Sequence, residues 1–268
     1  MENTNIYYKE WMPEQKPKAA IVLVHGLGEH CRRYEALAAF LNSKDIAICS
    51  MDLPGHGQSK GRRGHIDSFD EFHDAVLALL NRSKHKLPNT PLFLLGHSLG
   101  GLIASHFLLK HQDEFSGALL SGAAIQSPQE PPAWQVSIIK GIAKCFPKAK
   151  MLALDASKIS RDQSVVDAYF NDPLVGHEKL SAQFLVSMNH AMSEVKDQAN
   201  DISLPLFIMH GTADVMTSPE GSRLLFNTVS SNTKELKLYD GLYHEIFNEP
   251  EGPEIFTEMN TWIEQQLS

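Results

Sequence analysis

Cysteine is scarce in this 268-residue chain: Cys31, Cys49 and Cys145 are odd in number and lack metal-type spacing. A disulfide framework and a cysteine-based zinc site are thereby excluded, and a reducing compartment is expected. There is also no long basic tract, and the formal net charge is -8. Nucleic acid is excluded as the main partner, because little is available to neutralise phosphates. No apolar stretch is long enough to span a bilayer. Met1–Asn5 is polar and acidic, without the basic and apolar regions of a secretory leader. A cytoplasmic location follows as the expectation, with any lipid met from the aqueous side. No internal repeat or low-complexity tract is present.

What the chain does contain is an alternation of apolar, strand-like runs with helical patterns, the signature of a mostly parallel sheet covered on both faces. Strands are expected near residues 6–11, 20–25, 46–52, 91–96, 117–122, 205–210 and 235–240. Helices are expected over Tyr34–Ser43, Phe69–His85, Leu99–His111, Pro219–Val229 and Gly252–Leu267. The alternation breaks once, from about Gln126 to Ala199, where prolines cluster at 128, 131 and 132 and no convincing strand occurs. The expected organisation is α/β: a core over 1–125 and 200–268, interrupted by a helical cap over 126–199. The length suits one such domain with an insertion.

The apolar run Pro91–Leu95 leads into Gly96-His97-Ser98-Leu99-Gly100 and then a helical segment. Strand, sharp turn and helix with a serine at the apex describe a nucleophile elbow. Gly96 and Gly100 leave room for the helix to pack close to the strand. Leu99, as the first helical residue, would aim its N–H at the space above Ser98, where an oxyanion could be stabilised.

A serine hydroxyl needs a histidine base and a carboxylate that orients it. Asp214 follows the strand Leu206–Met209, and His244 follows the strand Glu235–Tyr239. The order Ser, Asp, His is that of the α/β-hydrolase architecture. Asp240 also lies at a strand end, but its nearness to His244 suits a turn cap better than an orienting carboxylate. The strand Ala20–Val24 ends in His25-Gly26-Leu27-Gly28, which makes Leu27 N–H the second oxyanion donor. His25, His97 and His210 each adjoin a glycine at a strand end and are read as turn histidines bonded to backbone.

Within the insertion, Trp134, Ile138, Ile142 and Phe146 recur every fourth residue, opposite Lys140, Lys144 and Lys148. Two readings fit this amphipathic helix: a lid that touches a membrane or micelle and admits an acyl chain, or an apolar side packed on the cap beneath solvated lysines.

The segments His25–His30 with Arg33-Tyr34, Asp52–Ser59 with Gly61–Gly64, Gly96–Gly101 and Tyr239–Glu245 together resemble the monoacylglycerol lipase and lysophospholipase group of α/β-hydrolases. The resemblance extends through the cap at Tyr169–Leu174. It implies a serine hydrolase that cleaves a single acyl ester from glycerol or a related head group, with no cofactor and no metal. Ser98, Asp214 and His244 match the family's triad, and Leu27 and Leu99 its oxyanion donors. Glu29 and Arg33 match polar positions at the alcohol end of the pocket, where a buried ion pair is an equal alternative. Tyr169 matches a cap tyrosine facing the site. Phe247 departs from the animal members, which carry a histidine there. A lysophospholipase, a short-chain carboxylesterase or a peptidase of related fold fits the same motifs. A hydrolase-like binding protein that has lost catalysis would not need an intact triad.

Overall fold

The computed structural model describes residues 5–267. In chain order its strands are β1 (Tyr8–Trp11), β2 (Ala19–Val24), β3 (Ile46–Met51), β4 (Leu92–His97), β5 (Gly117–Ser121), β6 (Lys150–Leu152), β7 (Leu180–Ser181), β8 (Leu206–Gly211) and β9 (Lys234–Tyr239). The helices are α1 (Glu35–Asn42), α2 (Asp70–Lys86), α3 (Leu99–His111), α4 (Ala133–Cys145), α5 (Gln163–Asn171), α6 (Ala182–Gln198), α7 (Pro219–Thr228) and α8 (Gly252–Leu267). Expected and observed ends differ by one or two residues, as at 6–11 against Tyr8–Trp11.

Seven strands form one sheet in the order β1-β3-β2-β4-β5-β8-β9. Only β1 runs antiparallel; the rest are parallel, as the α/β reading requires. Burial on both faces explains why β2 reads Ala-Ala-Ile-Val-Leu-Val without alternation. Ile21 and Leu23 pack with Phe93 and Leu95 on the face that holds α1 and α8. Val22 and Val24 pack with Leu94 and Leu120 on the face that holds α2 and α3.

Helix α3 lies between the sheet and α6, so nearly all of it is buried. Its approach depends on absent side chains. A Cβ on Gly100 would fall 2.1 Å from Val24 O, and one on Gly96 would fall 2.4 Å from Gly100 O. Neither backbone can yield without moving a strand from the helix, so the steric role expected of both glycines is met.

The segment between β5 and β8 carries α4, α5 and α6, and it corrects one expectation. It is not strand-free, because β6 and β7 pair antiparallel. Elements of two and three residues are too short to display a period of two, so nothing local announces them. On α4, Ala143 is buried and Val136, Ile139 and Ile142 are half-buried, whereas Trp134 and Ile138 face water and Phe146 lies just past the helix end.

Adding a methyl group tests the close approach of α3. Gly100→Ala is expected to lose about 1–3 kcal/mol of stability through overpacking. Gly141→Ala, in the exposed part of α4 with nothing within 4 Å of the new Cβ, is expected to gain up to about 1 kcal/mol. Urea unfolding of both variants checks the two opposite signs.

Candidate active site

Ser98 sits between β4 and α3 with φ 55° and ψ -119°. Such a backbone is costly for a residue with a Cβ and persists only where the surroundings hold it. Here the end of β5 holds it: Ser98 N–H donates to Ser121 O at 2.9 Å, and Ala124 N–H donates to Ser98 O at 3.0 Å. The turn lifts the hydroxyl out of the sheet toward the loops that follow β8 and β9.

Those loops bring the other two predicted residues to it. His244 Nε2 lies 2.8 Å from Ser98 Oγ, and His244 Nδ1 lies 2.7 Å from Asp214 Oδ2. Asp214 Oδ1 accepts the N–H groups of Met216 at 2.7 Å and Thr217 at 3.1 Å. Its Oδ2 also meets Thr217 Oγ1 at 2.8 Å and His210 Nε2 at 3.0 Å. Asp240, the rejected alternative, is exposed and accepts the Thr212 hydroxyl at 3.2 Å as a turn cap.

Charge is compensated inside this set. Burial pushes the Asp214 carboxyl up, but the adjacent His244 and the hydrogen bonds from His210 and His244 outweigh it, and the net shift is far below the usual carboxylate range. Burial pushes His244 down, yet Asp214, with Glu245 and Glu29 behind it, carries the net shift upward. His97, whose ring centroid is 4.8 Å from that of His244, is lowered to about 4 by burial and by the His244 charge. The two neighbouring imidazoles are thus shifted in opposite directions, and His244 is the more basic of the pair.

Leu27 follows Gly26, whose added Cβ would lie 3.1 Å from the Ser98 Cβ, and Leu99 opens α3. A helix's first N–H groups have no partner within the helix. Glu29 and Arg33, matched in sequence to the alcohol end, are bound to each other and to a residue the sequence did not single out. Arg33 donates to both Glu245 oxygens, at 2.5 and 2.8 Å, and to Glu29 Oε2 at 3.1 Å. Glu29 Oε1 accepts Gly26 N–H at 2.6 Å and Tyr34 O–H at 2.7 Å. Arg33 and Gly26 outweigh burial at Glu29 and bring it to about 2. The ion-pair alternative is therefore present, as a network that ties the Gly26 turn to the residue after His244.

Tyr169 lies over the same network, its ring 4.8 Å from the Arg33 guanidinium carbon. The insertion touches the site elsewhere: Gly176 N–H donates to Gly28 O at 2.7 Å, and Glu245 N–H donates to Ile159 O at 2.7 Å. Between insertion and core lies a small cavity of about 50 Å³, lined by apolar Leu27, Leu154, Leu180 and Met216 and by polar His56, Arg63, His177 and Glu178 among others.

Sequence reasoning missed Glu245, Thr217 and the true partners of His210. Glu245 is 212 residues from Arg33, so no spacing rule connects them. His25 and His97 do bond backbone groups, through Gly26 O with Leu53 N–H and through Ser121 O. His210 does not; it binds the side chains of Ser222 and Asp214. Among the described residues, no group of three or more His, Cys, Asp or Glu is arranged to hold a metal ion.

A family model described as serine aminopeptidase, S33 matches residues 15–251. A monoacylglycerol lipase of Mycolicibacterium smegmatis is 34% identical over 262 residues, 98% of this chain and 94% of that protein. A monoglyceride lipase of Homo sapiens is 33% identical over 266 residues, 98% of this chain and 88% of that protein. The crystal structure of Paleococcus ferrophilus monoacylglycerol lipase superposes with a TM-score of 0.87 at 32% identity, covering 97% of this chain and 99% of that one.

Arg33 is 11% exposed at its side chain and faces two carboxylates that are less exposed still. Removing it leaves both carboxylates buried without a cationic partner. Arg33→Met is expected to cost about 3–5 kcal/mol, measured by urea unfolding; an unchanged midpoint would contradict the network's role.

Proposed function

The chain belongs to the serine aminopeptidase S33 family and, within the α/β-hydrolase superfamily, to its monoacylglycerol lipase group; on that premise we propose that it hydrolyses monoacylglycerol to fatty acid and glycerol through an acyl-enzyme on Ser98. It is a carboxylic ester hydrolase. The observation that carries the reading is the line from Ser98 Oγ through His244 to Asp214, at 2.8 and 2.7 Å, on a turn of positive φ.

In this mechanism His244 Nε2 takes the Ser98 proton as Oγ attacks the ester carbonyl. The carbonyl oxygen becomes an oxyanion held by Leu27 N–H and Leu99 N–H, two donors fixed by backbone and so in place before the reaction begins. His244, now cationic beside Asp214, gives its proton to the departing alcohol. Water enters, is deprotonated by the same nitrogen and releases the acid. Glu29 and Arg33 brace the Gly26 turn and form a polar wall toward the alcohol, while Tyr169 closes it from the cap. The acyl chain lies against the apolar residues between insertion and core, Leu27, Leu180 and Met216.

The 126–199 segment acts as the cap, and its outer face meets the lipid surface. Trp134, Ile138, Phe146 and Phe170 are exposed there, with fractional exposure of 63% at Trp134 and 70% at Phe146. Lys140, Lys144 and Lys148 lie exposed alongside. Apolar and basic groups together favour an anionic interface. Among the described residues no helix is long and apolar enough to cross a membrane, and the contact proposed here is peripheral.

Fatty-acid release from a long-chain monoacylglycerol, a matching lysophosphatidylcholine and a short nitrophenyl ester tests the substrate. The monoacylglycerol is expected to be preferred, and Ser98→Ala to be inactive on all three while folding normally. Preference for the lysophospholipid would make the protein a lysophospholipase; turnover of the short ester alone would make it a general esterase. Replacing Trp134, Ile138 and Phe146 by serine is expected to reduce sedimentation with phosphatidylglycerol vesicles and to leave short-ester turnover unchanged; equal sedimentation would contradict the lipid contact.

A further inference from the structure

Asp214 is flanked by two serine–histidine pairs. On one side stand His244 and Ser98. On the other, His210 Nε2 lies 3.0 Å from Asp214 Oδ2, and His210 Nδ1 lies 2.7 Å from the hydroxyl of Ser222 in α7. Both His210 and Ser222 are fully buried, at 0% exposure. Five side chains therefore form one hydrogen-bonded line with the carboxylate at its centre.

The chemistry of the groups fixes the protons. An ionised carboxylate only accepts, so each imidazole must present an N–H to it. For His244 that is Nδ1–H, which leaves Nε2 free to accept from Ser98. For His210 it is Nε2–H, which leaves Nδ1 as an acceptor for the Ser222 hydroxyl. The Asp214 carboxylate, which only accepts, thus selects the His210 tautomer, and the Ser222 hydroxyl, able to donate, satisfies the nitrogen left over. The opposite tautomer would point a lone pair at Asp214 Oδ2 from 3.0 Å.

We propose that His210, held by Ser222, is a positioning residue for the reaction: its Nε2–H fixes the Asp214 carboxylate and shares its charge, so that His244 is held in the orientation that faces Ser98. His210 touches no reacting atom. It works from β8, an interior strand between β5 and β9, and Ser222 from the helix packed beside it. Thr217 supplies a further contact to the same oxygen, at 2.8 Å, but its single hydroxyl proton also has Gly122 O within 3.0 Å.

The proposal rests on the serine hydrolase reading and separates from it in one experiment. Hydrolysis of a nitrophenyl ester is followed against pH in the wild type and in His210→Leu, His210→Gln and Ser222→Ala. The acid limb of kcat/KM reports loss of the proton from His244. The charged and titratable groups around that ring are Asp214, Glu245, Glu29 and His97, and the variants leave all of them in place. With the His210 donor gone, the full Asp214 charge acts on His244, so its proton is held more tightly and the limb moves to higher pH. His210→Leu is expected to lower kcat about ten- to a hundredfold, the size of one lost hydrogen bond to an ion, with KM unchanged. His210→Gln, whose amide can donate from a similar place, is expected to restore both kcat and the limb. Ser222→Ala is expected to move both in the same direction by less.

An inactive wild type would overturn the catalytic reading and this proposal with it. An active wild type with unaltered kcat and acid limb in folded His210→Leu, or in Ser222→Ala where the leucine variant does not fold, would overturn the proposal alone. A loss of stability with no shift of the limb would assign His210 a structural role only, and so would failure of glutamine to restore the limb.

Discussion

A carboxylate removed from water must be compensated by its surroundings, and in this molecule the compensation of Asp214 is also what assembles the site. Its two oxygens are met by two backbone N–H groups, one hydroxyl and two imidazoles. The donors arrive on three parts of the chain: the end of β8, the turn before α7 and the loop after β9. Satisfying one buried charge therefore fixes three loops relative to one another, and Ser98 is within reach of His244 as a consequence. A second charge, Arg33, performs the same service on the other side. It joins Glu29, which holds the Gly26 turn, to Glu245, which follows His244 directly. The base and the oxyanion loop are thus anchored to one guanidinium.

The sheet determines where these loops can be. Parallel strands that share one direction deliver their carboxyl ends to one edge, and β2, β4, β8 and β9 each release a site loop there. Glycines at 96 and 100 let α3 approach closely enough for its first turn to face that edge. The positive φ of Ser98 is the local cost of the arrangement, and the hydrogen bonds to the end of β5 maintain it.

Those features that arise from local chemistry were legible in the sequence. A Val-Leu-Val strand that runs into His-Gly-Leu-Gly, and a Leu-Leu strand that runs into Gly-His-Ser-Leu-Gly, carry both their periodicity and their turn residues within a dozen positions. Features that depend on long-range packing were not legible. Glu245 was not singled out, because its partner Arg33 lies 212 residues away in the sequence. His210 looked like a turn histidine, because Ser222 is an unremarkable position within a helix. On α4, the sequence period picked out Trp134 and Ile138, while packing selected Val136, Ile139 and Ala143. Burial of a helix face depends on what lies opposite, which a one-dimensional pattern does not contain. The pair β6 and β7 lies below the length at which any strand signal accumulates.

The central claim is that Ser98 carries the acyl group between ester and water. Rapid acid quenching during turnover of a long-chain monoacylglycerol, followed by proteolysis and mass spectrometry, tests it directly. The account predicts a single peptide containing Ser98 that is heavier by the acyl group, formed together with release of glycerol. Glycerol release at full rate with no acylated peptide, or an acyl group found on another residue, would contradict it.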